Sequence, residues 1–69
     1  MGVPKRLTEM QKRFSEYLIY NEGKTTGREA AIAAGYSKDR ASVEASELQN
    51  PTLSPLVVKY IGELREENQ

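Results

Sequence analysis

Apolar side chains recur at steps of three and four residues along this chain, which is the spacing of one face of an α-helix. The first such stretch follows Thr8, which forms a capping box with Gln11 and so predicts a helix that begins there and ends at about Tyr20. We expect Phe14 and Tyr17 to lie in the core. The full apolar stripe of this helix comprises Leu7, Met10, Phe14, Tyr17 and Leu18.

A sharp turn between two helices is predicted within the segment TGREAAIAAGYSKDR. Thr26 and Glu29 form a second capping box, and the alanines that follow favour a helix able to approach a neighbour closely. Gly35 can adopt the left-handed conformation that ends such a helix. Ser37 is a good N-cap for the next helix, which leaves only Gly35 and Tyr36 between the two. These signals predict a helix-turn-helix.

Two further helices complete the prediction. The third would bury Ala41, Ala45 and Leu48, and it ends before Pro51 because the residue preceding proline avoids helical geometry. Pro55 suits the first position of a fourth helix. The apolar stripe of that helix comprises Val57, Tyr60, Ile61 and Leu64. No strand pattern is evident, so the predicted fold class is all-α: a small bundle of about four helices that contains a helix-turn-helix.

The sequence allows two interpretations for each of three further side chains. Tyr36 is predicted to fill the core against the first helix, with a contact from its hydroxyl to the DNA backbone as the alternative. Ile19 and Tyr20 fall off the stripe of the first helix, so we expect both on the surface. They are interpreted as ordinary exposed side chains or as part of a contact with another subunit.

Composition narrows the possible functions. Sixty-nine residues make one small domain, residues 1–69, with a modest core. The chain has neither Cys nor His, and it shows no clustered carboxylates or phosphate-cradling loop, so we expect no enzyme, no metal site and no cofactor. It also lacks an apolar run long enough to span a bilayer, so we expect no membrane contact.

The net charge of zero hides an asymmetry along the chain. Residues 1–40 hold eight basic and five acidic side chains, whereas residues 41–69 hold two basic and five acidic ones. Positive potential therefore belongs to the half that contains the helix-turn-helix, which is where a polyanion would bind.

The third helix is the predicted reader of double-stranded DNA. Its outer and amino-terminal surface would offer short side chains to the major groove, namely Ser37, Lys38, Ser42, Val43 and Ser46. Lys38 and Arg40 are expected in the first helical turn, where they either meet phosphates or are solvated and partly offset by Asp39. Glu44 and Glu47 would repel phosphate, so only the amino end of this helix should dock.

Other basic side chains are weaker candidates for phosphate contact. Lys24 and Arg28 flank the start of the second helix, where helix-turn-helix proteins often meet the DNA backbone. Lys5 and Arg6 form a short amino-terminal arm that could follow a groove. The alternative for all four is simple solubilisation of the surface.

Four segments in this order resemble the amino-terminal region of the small terminase subunits of tailed phages: RLTEMQKRFSEYL, REAAIAAGYS, LQNP and KYIGELREE. The resemblance implies packaging of a viral genome in the host cytoplasm. Members of that family recognise the packaging start on concatemeric DNA, assemble as rings and present the DNA to a large subunit that carries the ATPase and nuclease. The resemblance therefore implies double-stranded DNA, the terminase large subunit and further copies of the chain as partners.

Full-length small subunits usually continue into an oligomerisation region and a segment that engages the large subunit. We therefore expect this chain to be either an excised DNA-binding domain or a minimal member of the family, with those contacts made through segments absent here. Two alternatives remain: a helical module for protein interaction or oligomerisation, in which the helix-turn-helix is only a scaffold, and a helix-turn-helix transcriptional regulator.

Overall fold

A computed structural model describes residues 6–67, and within that range the chain forms four α-helices and no strand. The helices are α1 (Glu9–Tyr20), α2 (Gly27–Ala34), α3 (Ala41–Leu48) and α4 (Pro55–Glu67). The predicted all-α bundle of four helices is confirmed. Lys5, predicted as part of an amino-terminal arm, lies outside the described residues.

Both predicted capping boxes are present. At the start of α1, the Thr8 hydroxyl oxygen accepts from the Gln11 amide at 3.1 Å and the Gln11 side-chain oxygen accepts from the Thr8 amide at 2.9 Å. At the start of α2, the same pair of bonds joins Thr26 and Glu29, at 3.1 and 3.0 Å. Each box satisfies two amides that have no partner inside the helix, which fixes where the helix begins.

The end of α2 agrees with the prediction, but the start of α3 does not. Gly35 has a φ of +114° and closes α2 in the left-handed conformation. The predicted N-cap role of Ser37 is wrong, because α3 begins at Ala41 with Arg40 as its N-cap. The Ser37 carbonyl accepts from the Arg40 amide at 3.2 Å, an i to i+3 bond that makes a separate turn before the helix. The connection therefore spans residues 35–40 rather than two residues.

Contacts between the helices define their relative directions. A Cβ atom on Gly35 would lie 3.6 Å from the Met10 side chain, so the end of α2 lies at the start of α1 and the two helices run in opposite directions. A Cβ atom on Gly27 would lie 3.1 Å from Ala45 and 2.9 Å from Gln49, so the start of α2 lies near the end of α3. The major helix contacts are those of α2 with α1 and α3, and of α1 with α4.

Two polar contacts join α1 and α4 and show that these helices run in the same direction. The Tyr60 hydroxyl donates to Glu16 at 2.6 Å, and the Arg65 guanidinium donates to Glu22 at 2.9 and 3.1 Å. The Arg65 to Glu22 pair is about half exposed on both sides, so its contribution to stability is small. The Tyr60 to Glu16 bond is partly buried and fixes the spacing between the helices.

The core lies between the four helices, where α2 packs against α1 and α3 and where α4 packs against α1. Its buried apolar side chains are Phe14, Ile19, Ala30, Ala31, Ala34, Ala41, Ala45, Leu48, Val57, Ile61 and Leu64. The predicted burial of Ala41, Ala45 and Leu48 in α3 is confirmed. Tyr36 is half-buried and packs against this core, in agreement with its predicted role there.

The buried face of α1 differs from the predicted stripe. Tyr17 was predicted to be in the core but is 41% exposed, and Ile19 was predicted to be on the surface but is only 6% exposed. Ser15 is fully buried as well, and its hydroxyl is satisfied there because it donates to the Gln11 carbonyl at 2.9 Å. The buried face is therefore rotated toward Ser15 and Ile19. Tyr20 is 61% exposed, as predicted.

Replacing Gly35 by Ala is expected to lower the free energy of unfolding by about 1 to 3 kcal/mol, because a residue with a Cβ atom is strained at its positive φ. Gly62 is a matched control: it is exposed in α4, and a Cβ atom there would meet nothing within 4 Å. Gly62→Ala should raise the free energy of unfolding by about 0.5 to 1 kcal/mol. Denaturant unfolding of both variants tests this, and a neutral Gly35→Ala would contradict the assigned turn.

We expect the domain to lose stability at alkaline pH because of Tyr60. Its hydrogen bond to Glu16, together with partial burial, raises the pKa of Tyr60 to about 12 from an ordinary value of 10.0. As the pH rises from about 10 to about 12, the unfolded chain loses this proton while the folded chain retains it, so the free energy of unfolding falls. Tyr60→Phe should cost about 1 kcal/mol at neutral pH and flatten the alkaline decline.

Urea unfolding of Tyr60→Phe across that pH range measures the effect. Tyr17→Phe is the control, because Tyr17 is exposed, its hydroxyl makes no hydrogen bond within residues 6–67, and it is not among the groups that raise the pKa of Tyr60. An alkaline decline in Tyr60→Phe as steep as that of the Tyr17→Phe control would rule out the role assigned to the Glu16 bond.

Candidate nucleic-acid interface

The turn before α3 and the outer side of that helix carry most of the predicted DNA contacts. All six of these side chains are exposed: Ser37, Lys38, Arg40, Ser42, Val43 and Ser46. Lys38 and Arg40 were expected in the first turn of the helix. Both instead precede it, because the chain forms the extra turn at residues 37–40.

The outer surface of α3 has two different flanks. Since Ala41, Ala45 and Leu48 face the core, a helical period of 3.6 residues places Val43 near the middle of the outer side. Val43 is 50% exposed there. One flank carries the short hydroxyl side chains Ser42 and Ser46, and the other carries the carboxylates Glu44 and Glu47. The hydroxyl flank can donate to or accept from DNA, whereas the carboxylate flank repels phosphate.

Arg40 is paired with Glu44 in the free domain. The Arg40 Nε atom lies 3.5 Å from the Glu44 Oε2 atom, with the Arg40 side chain 64% exposed and the Glu44 side chain 25% exposed. Glu44 also lies close enough to Tyr36 to help raise the pKa of that phenol, after the larger effect of burial. The sequence interpretation offset Arg40 with Asp39 and missed Glu44, although the i, i+4 spacing of Arg40 and Glu44 signals such a pair.

The other predicted phosphate contacts lie elsewhere on the domain. Lys24 ends the turn after α1, where its amide donates to the Asn21 carbonyl at 2.8 Å, and its side chain is exposed. Arg28 is exposed in the first turn of α2. Because the neighbouring Gly27 packs against Gln49, Arg28 lies toward the carboxyl end of α3, whereas Lys38 and Arg40 lie at its amino end. The structure therefore places Arg28 and the pair Lys38 and Arg40 near opposite ends of α3.

Arg6 occupies a third place. Its exposed side chain lines a shallow depression together with Gln11 and with residues 53–57, which lead into the first turn of α4. It therefore lies beside the α1 to α4 contact rather than in the turn between α2 and α3. Within residues 6–67, no group of three or more acidic side chains is arranged to hold a metal ion, and none of the helices has the length and apolar character of a bilayer span.

Comparison with known proteins indicates the family of this chain. The family model described as terminase small subunit matches residues 7–69, nearly the whole chain. The chain belongs to the terminase small-subunit family. The terminase small subunit of Staphylococcus phage 80alpha is 39% identical over 62 residues, which covers 88% of this chain.

The matched region is only part of that terminase small subunit. It covers 41% of the Staphylococcus phage 80alpha protein, so the chain spans about two fifths of the length of this curated relative. No solved structure matches the chain. The resemblance of the four sequence segments to terminase small subunits is thus confirmed at the level of the family.

Proposed function

We propose that this domain binds double-stranded DNA for a phage terminase small subunit and so takes part in packaging of the viral genome. The observation that supports this most directly is the exposed turn at residues 37–40, which carries two cations at the amino end of α3, beside the exposed outer side of that helix. Helix-turn-helix proteins place the amino end of their second helix at the base edges of the major groove. The domain contributes binding and no chemical step.

Base contacts in this mode come from the hydroxyl flank of α3. Ser42 and Ser46 can donate to or accept from any base, and Val43 can contact a thymine methyl group. Lys38 reaches a guanine or a phosphate. Because these side chains are short and their hydroxyls accept several bases, we expect low selectivity from one copy of the domain.

Phosphate contacts come from cations at both ends of α3. Lys38 and Arg40 precede the helix, and Arg28 lies toward its other end. An eight-residue helix is about 12 Å long, which is similar to the width of the major groove. The two sets of cations can therefore contact the phosphates on opposite sides of one groove, so this proposal departs from the expectation that only the amino end of α3 docks. Lys5, Arg6 and Lys24 add phosphate contacts outside these two sets.

Single copies bind weakly in this proposal. The domain has no net charge and few cations at the interface, so it gains little from counterion release. Linking several copies in a homo-oligomer raises the effective concentration of each and supplies the missing affinity. The terminase small subunit then recognises the packaging start and hands the DNA to the large subunit, with oligomer and large-subunit contacts in segments outside this chain.

A helical interaction module is the second candidate, and the exposure of Tyr17 and Tyr20 favours it. Ile19 was expected to share such a contact with Tyr20, but Ile19 is buried and therefore cannot contact a partner in this fold. A transcriptional regulator uses the same DNA-binding surface and differs only in its target.

The double variant Lys38→Glu, Arg40→Glu is expected to weaken binding to duplex DNA at least about ten-fold, because it removes two phosphate contacts and adds repulsion. Lys59→Glu is the control, since Lys59 is exposed on α4 and its replacement reverses one charge, as does each of the two replacements in the double variant. Binding is measured across a salt series by fluorescence anisotropy. The slope of log affinity against log salt should fall by about 0.9 for each lost contact in the double variant only.

Two outcomes would contradict the proposal. Equal losses in the double variant and in Lys59→Glu would mean that α3 is not the docking surface. Wild-type affinity that does not change with salt would exclude a phosphate-driven mode. Sedimentation of the same proteins separates the second candidate, because an altered oligomeric state with unchanged DNA binding supports an interaction module.

A further inference from the structure

Glu44 holds a distinctive position on the proposed docking helix. Its amide donates to the Arg40 carbonyl at 2.8 Å, and its carboxylate contacts the Arg40 guanidinium at 3.5 Å. The Glu44 side chain is only 25% exposed and lies near the half-buried Tyr36. Arg40, by contrast, is 64% exposed and extends from the turn. Glu44 is therefore the fixed partner of this pair and Arg40 the one that can move away.

Neighbouring charges do not share this arrangement. Glu47 lies one turn further along the same flank, is exposed, and forms no ion pair within residues 6–67. Lys38 and Arg28 are exposed and have no acidic partner in the same range. Of the cations proposed to contact phosphate and described by the structure, Arg40 is thus the one already engaged by a carboxylate.

We propose that Glu44 regulates DNA binding by competing with phosphate for Arg40. In the free domain the pair neutralises one of the two cations at the amino end of α3. DNA must displace the carboxylate before Arg40 can contact the backbone, and Glu44 then remains near the phosphate as an unfavourable charge. This inference rests on the proposed DNA-binding function and assigns to Glu44 the control of its strength.

Competition of this kind acts on every duplex alike. It involves phosphate rather than base edges, so it lowers affinity for any sequence by the same factor. The factor is small for one domain, because an exposed ion pair is weak. In an assembly of linked domains it is multiplied over the copies, which suppresses stable binding to unrelated DNA.

A double-mutant cycle tests this role with a duplex of arbitrary sequence as the probe. Glu44→Gln should bind about two- to five-fold more tightly than wild type, which is the range that an exposed ion pair supports. Its salt slope should stay close to that of wild type, because Arg40 contacts phosphate in both complexes and only the cost of displacing the carboxylate is removed. Glu47→Gln removes the same charge from the same flank without releasing Arg40, so its gain should be smaller and its salt slope close to that of wild type.

The decisive comparison uses Arg40→Gln. In that background the gain from Glu44→Gln should shrink to the gain from Glu47→Gln, because there is no cation left to release. A gain that persists in the Arg40→Gln background would overturn the proposal and leave Glu44 as a simple repulsive charge. Thermal unfolding of each variant confirms that the helix is intact.

A measurement without DNA separates this inference from the proposed function. Hydrogen exchange of the Arg40 Nε–H group, followed by NMR, should be slower than that of Arg28 in wild type and should accelerate in Glu44→Gln. Equal exchange for Arg40 and Arg28 would refute the ion pair. If Arg40 is protected but neither wild type nor Glu44→Gln binds any duplex, the DNA-binding function fails while the ion pair itself stands.

Discussion

The placement of α3 depends on how closely α2 can approach its two neighbours. The buried side chains of α2 are alanines, at positions 30, 31 and 34, and Gly27 lies so close to α3 that a Cβ atom there would be 3.1 Å from the Ala45 methyl group. Small side chains bring the helix axes together, and close-packed interiors do not adjust freely to added volume. α3 packs into this region through Ala41, Ala45 and Leu48, which lie on one side of the helix. Its outer side and the turn before it therefore stay exposed.

Local signals in the sequence predicted most helix boundaries correctly. Capping boxes, a left-handed glycine and a proline at the first helical position act through neighbouring backbone atoms, so they can be recognised without knowledge of the fold. The Ser37 prediction failed because a serine is equally suited to a tight turn, and only the hydrogen bond from Arg40 to its carbonyl distinguishes the two. The buried face of α1 was misjudged because Ser15 is polar, yet satisfies its hydroxyl within the helix.

The candidate interface was predictable where it depends on one helix and unpredictable where it depends on packing between helices. Burial of Ala41, Ala45 and Leu48 implies which side of α3 is exposed. The separation of Arg28 from Arg40 depends on the contact of Gly27 with Gln49, and residues so distant in sequence give no periodic signal. The i, i+4 spacing of Arg40 and Glu44 indicates that they pair. The sequence analysis nevertheless offset Arg40 with Asp39, because Asp39 is its neighbour in sequence.

The parallel pair α1 and α4 has a consequence for synthesis of the chain. The bonds that join these helices link residues 43 and 44 positions apart, and both α2 and α3 lie between them. The side of α1 that packs against α4 therefore stays uncovered until α4 has left the ribosome. Contacts between distant residues slow folding because a long loop must close first. The nascent first helix thus exposes apolar surface that chaperones or early collapse must protect.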